Sequence, residues 1–134
     1  MTAEELIETY YRRFNAGDWD GMTRLLSADV VHDINQGQRE RGRPAFRRFL
    51  GRMAASYKER IGRISIMVDR SGKRVAAEYV VGGAYVTTDG RLPRAKGQTY
   101  RLPGGAFFEI RRGRIARVTN YYNLRLWLSL IGRK

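Results

Sequence analysis

The chain has 134 residues, no cysteine, and 26 lysines and arginines against 13 acidic residues, for a net charge of +13. That length suits one domain, residues 1–134, with a single buried core, and the lack of cysteine excludes disulfides and thiolate metal centres. The charge is spread over several elements as short pairs, Arg12-Arg13, Arg47-Arg48, Lys73-Arg74 and Arg111-Arg112, with no basic tract, zinc-finger or RNA-recognition motif, so nucleic acid is not expected as a partner.

Thr2-x-x-Glu5 is a capping box. It opens a helix on which Leu6, Tyr10 and Phe14, with Ile7 and Tyr11 beside them, recur at helical spacing. The acidic start has no signal-peptide character, and no apolar run approaches the roughly 18 residues of a membrane span. A cytoplasmic protein without a membrane partner is expected. Gly17 suits the helix end, and Asp18 caps a second, short helix carrying Met22, Leu25 and Leu26. Val30 to Ile34 reads as a short strand bounded by a polar loop from Asn35 to Gly42. Pro44 falls in the first turn of a third helix, whose stripe is Phe46, Phe49, Leu50 and Met53.

After Tyr57 the period becomes two. Ile64, Ile66 and Val68 alternate with Arg63, Ser65 and Met67, and Ser71-Gly72 signals a hairpin. Arg74 to Val86, Tyr100 to Arg111 and Arg114 to Tyr122 are the remaining strands, separated by a loop holding Gly90, Pro93 and Gly97 and by the turn Arg112-Gly113. Asn123 caps a last helix, Leu124 to Ile131. Segregated helices and an antiparallel meander indicate an α+β fold: a cone-shaped roll, with N-terminal helices packed on the concave face of a curved, mostly antiparallel sheet.

Several motifs agree with this shape. Tyr10-x4-Asn15-Ala16-Gly17-Asp18-x-Asp20-Gly21 resembles the first helix and turn of ketosteroid isomerases and SnoaL-like polyketide cyclases. Gly42-Arg43-Pro44-Ala45-Phe46 is similar to the start of their third helix. Gly105 to Ile110, Gly113-Arg114-Ile115 and Asn120 to Leu124 resemble the closing hairpin of limonene epoxide hydrolases. Together they identify the chain as resembling the nuclear transport factor 2-like superfamily, nearest its SnoaL-like and ketosteroid isomerase-related members. The resemblance implies a hydrophobic pocket, no cofactor, and a homodimer formed through the outer sheet face. It places Tyr10 on the isomerase's oxyanion tyrosine, Asp33 beside the base position at Ile34, and Ala106 where a second acid would stand. The epoxide hydrolase relay falls on Tyr79, Val81 and Asn120, which cannot perform it.

Alternation alone sends His32, Asn120 and Tyr122 to the concave face. The candidate catalytic residues are therefore His32, Asp33, Tyr10 and Asn120, with His32 or Asp33 as base. Phe14, Met53, Tyr57, Tyr79, Phe108, Tyr122 and Trp127 are the candidate ligand-binding residues, and no metal ligand set is present. The expected function is proton transfer on an apolar cyclic small molecule, of isomerase, cyclase or hydrolase/dehydratase type. The alternative is a non-catalytic module that binds a hydrophobic ligand or acts as a dimeric scaffold.

Overall fold

A computed structural model describes residues 1–132. The elements, in chain order, are α1 (Ala3–Asn15), α2 (Trp19–Thr23), β1 (Leu26–Ile34), β2 (Gln38–Arg41), α3 (Arg43–Ser56), β3 (Tyr57–Val68), β4 (Arg74–Tyr85), β5 (Gln98–Arg111), β6 (Arg114–Tyr122) and α4 (Leu124–Ile131). The six strands form one sheet in the order β2-β1-β6-β5-β4-β3. Only β1 and β6 pair in parallel; the other neighbours are antiparallel. The helices lie against the concave face of this curved sheet, as the α+β reading anticipates.

Local chemistry sets the helix ends. Thr2 Oγ1 accepts from the Glu5 amide and Glu5 Oε1 from the Thr2 amide, each at 3.1 Å, which completes the capping box. Asp18 Oδ1 accepts from the Gly21 amide at 2.9 Å. A Cβ on Gly21 would lie 2.0 Å from Asp18 Oδ2, so only glycine leaves room for this cap. Asn15, at the end of α1, receives the Ile61 amide at 2.8 Å and donates to the Ile61 carbonyl at 2.9 Å. The Asn-Ala-Gly-Asp segment therefore ties α1 to β3 as well as turning the chain.

Two sequence expectations change. The second helix stops at Thr23, and Leu26 is already the first residue of β1, where it pairs with Ile115 of β6 and is fully buried. Strand pairing has overridden the local helical spacing. The segment expected to be a polar loop contains β2, whose residues Gln38 to Arg41 pair with β1 at the sheet edge. An edge strand with polar side chains carries no apolar alternation to reveal it.

A bulge in β3 decides which of its side chains reach the concavity. Gly62 pairs with Val80 and Ser65 with Glu78, so three steps along β3 match two along β4. Arg63 absorbs the extra residue with φ of 52°. Before the bulge Tyr57, Glu59 and Ile61 face the concavity; after it Ile64 and Ile66 are the partly buried residues packed on the core. The inward parity therefore changes from odd to even numbers within one strand.

Candidate active site

The helices and the concave sheet enclose a cavity of about 160 Å³. The strands supply many of its polar groups, His32 from β1, Glu59 from β3, Tyr79 from β4, and Asn120 and Tyr122 from β6, and α1 adds Tyr10 and Tyr11. Helices α1 and α3 supply most of the apolar wall, and Trp127 of α4 closes one side against Tyr57, with ring centroids 5.2 Å apart. Of the expected ligand-binding residues, Phe14, Met53, Tyr57, Tyr79, Tyr122 and Trp127 line this cavity. Phe108 does not. It is 1% exposed and lies beneath Tyr10 and Tyr11, edge-on to both rings. Its role is to support α1 on the sheet.

Glu59 is the acid that alternation did not reveal. Counting back from Ile64 and Ile66 would place it on the solvent face; the bulge turns it inward. Among the described residues that line the cavity it is the only lysine, arginine, aspartate or glutamate. Tyr100 donates to its Oε2 at 2.5 Å. Burial pushes the carboxyl above the ordinary glutamate range, and the Tyr100 hydrogen bond opposes that rise only in part. Tyr79 and Tyr122 sit close enough to feel the same charge. Burial, then Glu59, raises both hydroxyls, that of Tyr79 to about 12. Tyr79 also donates to Asn120 Oδ1 at 3.4 Å.

Two cross-strand pairs hold these tyrosines. Gly83 stands opposite Tyr100, and Gly104 opposite Tyr79. A Cβ on Gly83 would lie 2.3 Å from Tyr100 Cζ, and one on Gly104 would lie 2.7 Å from Tyr79 Cε1. Each ring thus lies over the bare backbone of its glycine partner. Gly83→Ala is expected to displace Tyr100 from Glu59 and destabilise the fold by about 1–3 kcal/mol. Urea denaturation measures it, and an unchanged midpoint would show that the ring has room to move.

His32 enters the cavity and Asp33 does not, which decides between the two candidates of β1. The imidazole lies between Phe46 and Phe49, with ring centroids at 4.4 and 4.7 Å, and its Nδ1 has no hydrogen-bond partner. Burial pushes its pKa down to about 4, outweighing the opposing charge of Asp33. At neutral pH it is an uncharged polar group and a weak base. Asp33 points to the opposite sheet face. There it accepts from Arg39 Nε at 2.6 Å, Arg39 Nη2 at 3.1 Å and Thr119 Oγ1 at 2.7 Å. The Arg39 hydrogen bond, helped by Thr119, holds its carboxyl below the ordinary aspartate range. Asp33 as a base is corrected by this geometry: strict alternation along β1 turns it away from the cavity.

Tyr10 and Tyr11 both line the cavity from α1, with rings edge-on at 5.2 Å. Burial raises both hydroxyls, and that of Tyr11 has no partner. Ala106 is buried opposite Asn120 on the neighbouring strand, so no second acid stands there. The arrangement can move one proton at Glu59 and can offer hydrogen bonds to a substrate oxygen from tyrosine, amide and neutral imidazole groups. No group of three histidine, cysteine or acidic side chains placed to hold a metal occurs among the described residues.

Comparison with known proteins agrees with the geometry. A family profile described as the SnoaL-like domain matches residues 7–118. A candidate polyketide cyclase of Xanthomonas campestris pv. campestris is 55% identical, covers 97% of this chain and 96% of its own, and superposes with a TM-score of 0.95. A second candidate polyketide cyclase, from Pseudomonas putida KT2440, is 52% identical over 98% of each chain, with a TM-score of 0.95. An NTF2-like protein of Burkholderia pseudomallei, 15% identical over 99% of each chain with a TM-score of 0.82, shares the fold. No curated protein matches the chain.

Proposed function

Because the chain belongs to the SnoaL-like domain family, we propose that it is a cofactor-independent enzyme of cyclase or isomerase type in which Glu59 moves a proton on a small, apolar, cyclic carbonyl compound. The observation that carries this reading is Glu59 itself, a carboxyl buried in an apolar cavity and held through one oxygen by Tyr100. A carboxyl raised by burial is a stronger base than one in water, and closer in pKa to neutral pH. The names of the two close relatives, both candidate polyketide cyclases, support the reaction class.

In this mechanism the carboxylate of Glu59 takes a proton from a carbon next to the carbonyl. The electron pair of that C–H bond moves onto the carbonyl oxygen and gives an enolate. Tyr10, Asn120, Tyr122 and neutral His32 offer the hydrogen bonds that can hold this oxygen. Glu59 then returns the proton to a second carbon of a conjugated enolate; or the enolate carbon attacks a second carbonyl carbon of the same molecule, whose C=O π pair moves onto its oxygen and takes the Glu59 proton as the ring closes. The cavity limits the substrate. At about 160 Å³ it is comparable to an engineered apolar cavity of about 150 Å³ that takes one benzene. A single ring fits the pocket as it stands.

Solvent-deuterium incorporation into a panel of single-ring ketones and enones, monitored by NMR, tests the proposal without knowledge of the natural substrate. The wild type is expected to label at least one α-carbon well above buffer. Ala54→Phe, which pushes a ring into the cavity from α3, is expected to abolish the labelling. No labelling by the wild type, or equal labelling by the filled variant, would overturn it.

A further inference from the structure

Two residues that line the cavity each carry a buried polar atom that the fold does not use. The Tyr11 hydroxyl and His32 Nδ1 have no hydrogen-bond partner, on residues only 5% and 2% exposed, and both residues line the cavity. Buried polar groups are nearly always satisfied, because an orphan forfeits its hydration without return. Neither atom is needed for the fold, since neither bonds to anything in it. They also stand on different walls. Tyr11 projects from α1 over Tyr79 of β4, at a ring-centroid distance of 5.8 Å. His32 lies on β1, which β6 and β5 separate from β4.

We propose that Tyr11 and His32 are specificity-determining residues that select a neutral ring compound carrying two oxygen functions, hydroxyl or keto, one for each side chain. This rests on the reading of the cavity as the substrate site, but not on Glu59 as its base. A phenol hydroxyl can donate to a keto or hydroxyl oxygen, and an uncharged imidazole Nδ1 can donate to or accept from a hydroxyl. The same pocket disfavours a carboxylate, because among the described residues that line it Glu59 is the only acidic side chain and there is no lysine or arginine. A ring with no oxygen would leave both orphans buried behind it. Discrimination by a site that leaves polar groups unpaired with the wrong ligand is larger than discrimination by fit alone.

Benzene, phenol, resorcinol and hydroquinone serve as probes, with dissociation constants measured by NMR titration for the wild type, Tyr11→Phe and His32→Leu. The wild type is expected to prefer one dihydroxybenzene over benzene. Each variant is expected to reduce that preference about tenfold, the worth of one hydrogen bond, while benzene binds unchanged. Tyr11→Phe without ligand should also unfold at a higher urea concentration than the wild type, since it removes an unsatisfied hydroxyl. A preference unchanged in either variant overturns the inference, and means that solvent serves that atom in the wild type. A lowered urea midpoint for Tyr11→Phe overturns it too, because the hydroxyl then has a structural partner. The readout is binding alone. Loss of preference without any deuterium labelling refutes only the proposed catalysis; labelling with unchanged preferences refutes only this inference.

Discussion

Glu59→Gln is expected to lower the rate of deuterium labelling by about 10²–10⁴, the usual contribution of a positioned acid or base, while the protein remains folded. The amide has nearly the shape of the carboxyl, and its oxygen can still accept from the Tyr100 hydroxyl, which lies 2.5 Å from Oε2 in the wild type. What disappears is the ability to take a proton at neutral pH. The wild-type rate should rise with pH through a midpoint above the ordinary glutamate value, because burial raises this carboxyl. The stability effect has a defined sign. The native state holds the Glu59 proton to a higher pH than the unfolded chain does, so the wild type loses stability as pH rises from the unfolded pKa through the native one. Glu59→Gln, which has no proton to lose, should gain on the wild type as pH rises above the ordinary glutamate value. Labelling undiminished in Glu59→Gln would remove this residue from the chemistry.

His32 predicts the opposite trend. Its pKa falls from an ordinary 6.5 to about 4 in the native state. Above pH 6.5 the imidazole is neutral in both states and favours neither. Between 6.5 and 4 the unfolded chain binds a proton that the native state refuses, so stability declines as the solution is acidified. The full loss is roughly 3 kcal/mol, at about 1.4 kcal/mol for each unit of difference. Asp33, held below the ordinary aspartate range, and Glu59, raised above the ordinary glutamate range, also change charge on acidification, so the comparison needs a partner without the imidazole. Urea denaturation of wild type and His32→Leu from pH 7.5 to pH 4 is expected to show the wild type falling more steeply by that amount. Parallel curves would mean that the imidazole accepts its proton in place.

Much of this architecture was legible because the determining interactions are local. The Thr2 capping box, the Asp18 and Asn123 caps, the Arg112-Gly113 turn and the even period of β6 each depend on residues within a few positions of one another. The inward placement of His32, Asn120 and Tyr122 came from the same alternation. What escaped depends on pairing between distant segments. β2 exists because β1 offers it an edge, and Leu26 is a strand residue because Ile115 lies beside it. Phe108 alternates correctly, yet α1 covers it before the cavity begins. Glu59 was missed for the same reason: parity read beyond Gly62 does not hold before it. The available signal was Tyr57-x-Glu59-x-Ile61, an alternation of its own that meets the next one out of phase across a glycine.

That phase change has a consequence for comparing this chain with its relatives. β3 behaves as two short strands whose residues occupy unrelated environments, joined where Asn15 grips the Ile61 backbone. A relative that lacks the extra residue, or carries it one position away, can keep every contact beyond Ser65 and still present a different side chain to the cavity. Aligned on the hydrophobic pattern of Ile64 and Ile66 alone, such a relative would exchange its acid for the counterpart of Lys58 or Arg60, and a cavity acid that is present would be scored as lost. Equivalence along this strand is better counted from the helix-end asparagine than from the strand's own pattern.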